Sequence, residues 1–115
     1  MRVEMKASEV LLKAADAIRE RGHAKHMLVD LDTGGMCLSG AISFAISDNP
    51  EAGAVPTAAD RMGDVAAVLG LEGGWWDAAA WNNEDSRRPS EVIAALDAAA
   101  VVALQEEGIE PEDVL

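Results

Sequence analysis

Apolar residues recur at helical spacing along most of this chain. Between Ser8 and Arg21 they fall three or four positions apart, which is typical of one buried face of an α-helix. Ser8 is a suitable N-cap, and Gly22 is the type of residue that commonly follows the last turn of a helix. The same signals predict further helices over Cys37–Ser47, from Pro56 to Gly70, over Trp75–Trp81 and from Pro89 to Gly108.

One segment has the alternating pattern of a β-strand instead. Within His26–Asp32, apolar residues occupy every second position from Met27 to Leu31, which predicts a short strand. Thr33–Gly35 is a turn signal, and Met36–Leu38 is a candidate returning strand. Such a hairpin has to pack on helices, because a lone hairpin is only marginally stable in water.

The predicted core is aliphatic. Half of the 115 residues are hydrophobic, but only one Phe and three Trp provide aromatic side chains. Ala, Val, Leu, Ile and Met must therefore fill the interior, and small alanine faces let helices approach closely. We expect a mainly α protein with one domain over residues 1–115. It is predicted to be a compact bundle of four to five helices with a small β-hairpin near residues 26–38.

The formal net charge of −12 narrows the classes of partner. Such a chain repels phosphate backbones and anionic membrane surfaces, so we expect no nucleic-acid partner and no membrane partner. The acidity suits a basic partner protein, or mimicry of a nucleic acid. Because the 21 acidic residues are spread along the whole chain, a solvated surface that keeps the protein in solution is the simpler interpretation.

The cysteine content and the N-terminus predict a location in the cytoplasm. Cys37 is the only cysteine, so no intramolecular disulfide can form. Arg2 and Lys6 are not followed by the uninterrupted apolar run of a signal peptide. No stretch approaches the ~18 apolar residues of a membrane span.

Two acidic motifs near the predicted turn fail as sites. Asp32-Thr33-Gly34 is similar to the motif of aspartic proteases, but those enzymes are nearly all-β and need a second carboxylate, so a turn is the simpler interpretation. Asp30 and Asp32 also begin like a calcium-binding loop. The twelfth position, which must be a carboxylate, is Ala41.

Other candidate chemistry is also incomplete. His23, His26 and Cys37 have no evident fourth ligand for a metal, and a buried structural cysteine is the simpler interpretation. Ser39 lacks the first glycine of a nucleophile elbow, and no glycine-rich phosphate loop is present. We therefore predict no catalytic residue, no metal and no cofactor, and a non-enzymatic protein rather than an enzyme.

Three tryptophans, Trp75, Trp76 and Trp81, concentrate the aromatic surface in one short segment. The adjacent pair cannot easily point into one core from one helix, so at least one of them is expected to be exposed or buried in an oligomer. Exposed tryptophan is favoured at the centre of protein interfaces. Trp75 and Trp76 are therefore the predicted partner-binding residues; the alternative is that one or two tryptophans fill the core.

Five segments together resemble known proteins: Ala14–Gly22, Cys37–Ile42, Trp81–Asn83, Arg87 and Glu91–Ile93. The family that they resemble consists of small uncharacterised proteins from actinobacteria and their bacteriophages. The chain departs from that family where it has Asn83 in place of the usual Asp, and Arg88 in place of a frequent Thr.

The resemblance implies a bacterial or phage protein of the cytosol, and it implies no activity. Within the resembling segments, Asn82 is expected to hold the polar loop that follows it to Trp81, because its amide can bond the backbone of that loop. Trp81 and Asn82 are also the candidate ligand-binding residues.

These observations leave two main functions open. The leading hypothesis is a non-enzymatic interaction protein, phage-encoded and acting on a host protein, since the chain combines acidity with a tryptophan cluster and lacks catalytic motifs. A second copy of this chain is another candidate partner. The alternative is a small-molecule-binding protein or an enzyme with a site near Cys37, the hairpin and Trp81–Asn82. Mimicry of a nucleic acid is a third, weaker hypothesis.

Overall fold

The protein is described by a computed structural model over residues 5–50 and 56–114. The described part has five α-helices and no β-strand: α1 (Ala7–Arg21), α2 (Leu38–Ser47), α3 (Pro56–Val68), α4 (Trp75–Asn83) and α5 (Pro89–Glu106), with a 3-10 turn at Pro111–Asp113. Helices α1 and α5 pack against each other, α2 lies on α1, and α3 joins α4 to α2 and α5. The prediction of a mainly helical fold is confirmed.

Aliphatic side chains fill the core, as the composition requires. Alanines occupy much of the buried faces of the two longest helices, at Ala14, Ala15, Ala17, Ala95, Ala99, Ala100 and Ala103. Small side chains on both surfaces allow the two helix axes to come close. The aromatic rings lie around this core rather than in it, because Phe44 and Trp81 are half-buried and Trp75 and Trp76 are exposed.

The start of α1 differs from the prediction. Lys6, rather than Ser8, occupies the N-cap position, and Ser8 lies buried inside the first turn. The Ser8 Oγ donates to one carboxylate oxygen of Glu107 (2.6 Å), and its backbone N–H donates to the other (3.2 Å). The carboxylate therefore satisfies a free N–H at the positive end of the helix, and it ties the beginning of α1 to the end of α5.

The predicted β-hairpin near residues 26–38 is wrong. Residues 22–37 form an irregular loop, here called the central loop, in which Met36 makes one isolated bridge to His23 and one to Val29. A turn closed by a hydrogen bond from the Gly34 N–H to the Asp30 carbonyl oxygen (2.7 Å) leaves Val29 and Met36 as one antiparallel pair. Before this pair, His26 departs from extended backbone with a φ of 62°. The alternating pattern misled the prediction, since Leu31 is 85% exposed instead of facing the core.

Most of the predicted helix ends agree with the structure. Gly22 follows α1 with a φ of 98°, a conformation that favours glycine. Helix α4 continues to Asn83 instead of ending at Trp81, so Asn82 lies in a helix and not in a loop. The sequence also predicts a loop from Glu51 to Pro56, and this segment falls outside the described residues except at Pro56, where α3 begins. Among the described residues, no helix is long and apolar enough to cross a bilayer.

Candidate functional site

The central loop and the start of α2 are in unusually close contact at Gly40. A Cβ atom added at this glycine would lie 2.0 Å from the carbonyl oxygen of Leu28, a backbone atom of the loop. Only a residue without a side chain fits there. The contact holds Cys37 at the N-cap of α2, where its Sγ accepts a hydrogen bond from the Gly40 N–H (3.3 Å).

Asn82 fastens α4 to both ends of the central loop. Its side chain is only 1% exposed. The Oδ1 atom accepts from the backbone N–H of Leu38 (3.0 Å) and lies 2.7 Å from His23 Nε2, so this ring nitrogen must carry the proton. The Nδ2 group donates to the carbonyl oxygen of Ala24 (3.3 Å) and to Oδ1 of Asn83 (3.0 Å). Asn82 therefore has a structural role, as expected, but it binds the central loop, which is distant in sequence, and not the loop that follows it.

Asn83 holds the strained point of the central loop. Its Oδ1 accepts from the backbone N–H of His26 (2.8 Å) as well as from Asn82. His26 is a residue with positive φ, a conformation that persists only where its surroundings enforce it. The family that the chain resembles usually has Asp at this position, and a carboxylate oxygen could accept the same two hydrogen bonds. Asn83 therefore keeps the acceptor that the Asp would provide.

A pocket of about 440 Å³ opens beside this network, between the central loop, the start of α2, α3 and α4. Its apolar lining comes from Met27, Leu28, Leu38, Met62, Trp75 and Ala79. Its polar lining comes from His26, Cys37, Ser39, Asn82 and Asn83. A mostly apolar wall with a few polar groups, at this volume, is typical of sites that bind a small molecule or a buried side chain.

Cys37 is a neutral thiol in this pocket. Burial raises its pKa above the ordinary value, and hydrogen bonds from backbone N–H groups oppose that effect only in part. The thiolate, which is the reactive form, is therefore scarce at neutral pH. This agrees with the interpretation of Cys37 as a structural residue.

Trp75 and Trp76 form an exposed aromatic pair at the mouth of the pocket. Their rings stack with centroids 4.0 Å apart at an interplanar angle of 25°. Trp75 is 42% exposed and also lines the pocket, while Trp76 is 69% exposed. Met27, another exposed apolar residue, lines the same pocket. We call Met27, Trp75 and Trp76 the tryptophan patch.

Trp81 is covered by an arginine. The Arg87 guanidinium lies 4.0 Å from the centroid of the Trp81 ring, and its Nε donates to the Trp81 carbonyl oxygen (2.9 Å). Glu84 and Glu91 bind the other two nitrogens of the guanidinium at 2.6 and 3.0 Å. Of the two candidate ligand-binding residues, the structure brings Asn82 to the pocket wall, while Trp81 packs against the core.

The remaining sequence motifs are local structure. Asp32-Thr33-Gly34 lies in a turn, in which Asp30 Oδ1 accepts from the Asp32 N–H (2.9 Å) and Thr33 Oγ1 accepts from the Gly35 N–H (3.1 Å). In the described part of the chain, no three His, Cys, Asp or Glu side chains come together in a way that could hold a metal ion.

Sequence reasoning did not identify several residues of the pocket. Met62 belongs to the apolar stripe of α3, and nothing in its spacing distinguishes it from a core residue. His26 and Met27 reach the pocket because of the irregular backbone of the central loop. Trp75, Cys37 and Asn82, which the sequence analysis had singled out, do line the pocket.

The fold and the pocket define a small helical protein with a partly apolar cleft between a loop and three helices. The chain belongs to DUF6197, a family of unknown function that matches residues 3–102. That match spans all five helices up to the last turn of α5. No curated protein and no solved structure matches the chain.

Proposed function

We propose that this chain is a non-enzymatic protein that binds another protein through the tryptophan patch and the pocket behind it. The observation that carries the proposal is the position of Trp75, which is exposed to solvent and also lines the pocket. A partner can therefore contact the stacked rings and insert one apolar side chain into the pocket in a single interface.

The energetics of the patch support this proposal. A fully exposed tryptophan offers roughly 250 Å² of surface, so exposures of 42% for Trp75 and 69% for Trp76 leave about 280 Å² of these two residues in water. Burying that area is worth at most about 7 kcal/mol before the costs of association. Tryptophan is also enriched among the residues that dominate protein interfaces, especially next to a pocket that excludes water.

We further propose that the protein comes from an actinobacterium or one of its phages, acts in the bacterial cytoplasm, and binds a host protein there. The resemblance described above supports the origin. The single thiol of Cys37 suits a reducing compartment.

Affinity purification from an actinobacterial lysate, with quantitative mass spectrometry, tests the proposal. Wild type and Val102→Ala, a matched change at an exposed apolar residue on α5, should capture the same protein. Trp76→Ala should lose it, and the purified partner should then bind wild type directly. Equal capture by wild type and both variants, with normal circular dichroism, would show that the patch is not the interface.

A small-molecule-binding protein is the second candidate. It is favoured by the polar groups of Cys37, Ser39 and Asn82, which converge on a pocket of about 440 Å³. Native mass spectrometry of gently purified protein distinguishes the two functions. A bound small molecule that survives Trp76→Ala but is lost when Ala79→Trp fills the pocket would favour this candidate over the protein partner.

A further inference from the structure

The aromatic rings of this chain fall into two groups. Phe44 has the Arg21 guanidinium 4.4 Å from its ring centroid, and Trp81 has Arg87 at 4.0 Å. Among the described residues, no cation lies over Trp75 or Trp76, whose rings contact each other instead. The two most exposed rings are thus the ones without an arginine.

Two cations of the chain, Lys25 and Arg87, lie at the C-terminal end of α4. Lys25 Nζ donates to the Asp85 carbonyl oxygen (2.8 Å), and Arg87 binds the carbonyl oxygen of Trp81 (2.9 Å). At the other end of α4, which bears the tryptophan pair, the side chains of Glu72 and Asp77 are both exposed.

The chain around the two tryptophans carries acidic residues but no Lys or Arg between Arg61 and Arg87. Glu72 and Asp77 are the acidic residues nearest the pair in sequence, whereas Asp64 pairs with Arg61 and Glu84 pairs with Arg87. A cation near the exposed ring of Trp76 would gain from the ring face and from the neighbouring carboxylates together.

From this juxtaposition we infer that the partner presents a basic segment, in which an arginine flanks the apolar side chain that enters the pocket. The inference rests on the proposed function and names the chemistry of its partner. The guanidinium stacks on Trp76 and faces Glu72 and Asp77, in the way that Arg87 covers Trp81 beside Glu84 and Glu91. A second copy of the chain is a poor occupant, because each copy carries a net charge of −12.

Nuclear magnetic resonance of the full, ¹⁵N-labelled chain tests the inference with three blocked peptides of sequence Arg-Leu-Arg, Gln-Leu-Gln and Arg-Gly-Arg. The three tryptophans give three indole N–H signals, so Trp81 serves as an internal reference. Arg-Leu-Arg should shift the Trp75 and Trp76 signals saturably and bind about fivefold more tightly than Gln-Leu-Gln at low salt. This preference should shrink as salt is added.

Variants of exposed residues identify the groups responsible. Trp76→Leu keeps an apolar side chain but removes the ring face, and Glu72→Gln removes one charge, so each should reduce the preference for Arg-Leu-Arg. Val102→Ala, away from the patch, should retain it. An unchanged preference in both Trp76→Leu and Glu72→Gln would overturn the inference.

The peptides separate a failure of the inference from a failure of the proposed function. Equal affinity for Arg-Leu-Arg and Gln-Leu-Gln would refute the basic segment but not the apolar anchor, the side chain that enters the pocket. Equal affinity for Arg-Leu-Arg and Arg-Gly-Arg would refute the anchor, and with it the proposed use of the pocket. Binding of none of the peptides at millimolar concentration would refute both. Shifts of the same signals on concentrating the protein alone would assign the surface to a second copy.

Discussion

Replacing Asn82 by alanine is expected to destabilise the protein by about 3 kcal/mol. The change removes four hydrogen bonds from a side chain that is 1% exposed. It leaves the buried N–H of Leu38 without its acceptor, which alone costs about 1–3 kcal/mol. The carbonyl oxygen of Ala24 loses its donor as well, and the missing amide leaves a cavity.

Thermal unfolding measures this loss directly. For 115 residues the entropy of unfolding is about 0.24 kcal/mol/K, so a loss of about 3 kcal/mol lowers Tm by about 12 °C. Hydrogen exchange adds a local measurement. The amides of Ala24 and Met36, which donate to carbonyl oxygens within the central loop, should exchange faster in Asn82→Ala than in wild type.

The neighbouring position provides a matched control. In Asn83→Asp a carboxylate oxygen still accepts from His26 and Asn82, so stability should stay within about 0.5 kcal/mol of wild type. A Tm for Asn82→Ala within a few degrees of wild type would refute the conclusion that the hydrogen bonds of Asn82 hold α4 and the central loop together. So would a larger loss in Asn83→Asp than in Asn82→Ala.

Three further predictions concern single residues. Gly40→Ala should lower the free energy of unfolding by about 3 kcal/mol, because the added Cβ meets the carbonyl oxygen of Leu28. Gly63→Ala, in α3, should raise it by about 0.5–1 kcal/mol, because nothing lies within 4 Å of its added Cβ. Urea denaturation compares the two variants. Cys37 should react with iodoacetamide on the order of tenfold more slowly than in the unfolded chain, as followed by mass spectrometry, with a faster reaction at alkaline pH. A hydrogen bond from the Arg88 backbone N–H lowers the pKa of Glu91 below its ordinary value, so the stabilisation that the carboxylate gives is lost as the pH falls through the lowered pKa. Glu91→Gln should therefore unfold with a weaker acid dependence than wild type, and equal profiles would contradict this.

The helices and the core were largely predictable because their determinants are local. The apolar spacing in Ser8–Arg21 and the stretch from Pro89 to Gly108 identified α1 and α5 to within one or two residues. The scarcity of aromatic residues required an aliphatic core, and the buried alanines of both helices meet that requirement. Ser8 is the exception, since its role depends on Glu107, 99 positions away.

The central loop could not be predicted from its pattern. Alternation of Met27, Val29 and Leu31 describes a strand with one buried face, but an isolated bridge on each side of Met36 replaces the ladder. Before Val29 the backbone departs from extended structure at His26, a residue with positive φ whose N–H donates to Asn83 on α4. A contact of that range leaves no trace in the local sequence.

The sequence by itself determined the helices, the aliphatic core, the acidity and the identity of several site residues. Residue spacing, composition and charge are properties of the sequence and do not depend on how the chain folds. Only the tertiary structure decided what those residues do. Asn82 bonds groups 44 to 59 positions before it, and the pocket exists where that bonding holds the central loop against α2 and α4. Trp75 became part of a site because folding brought it beside Cys37 and Met62, whose side chains share no pattern with it in the sequence.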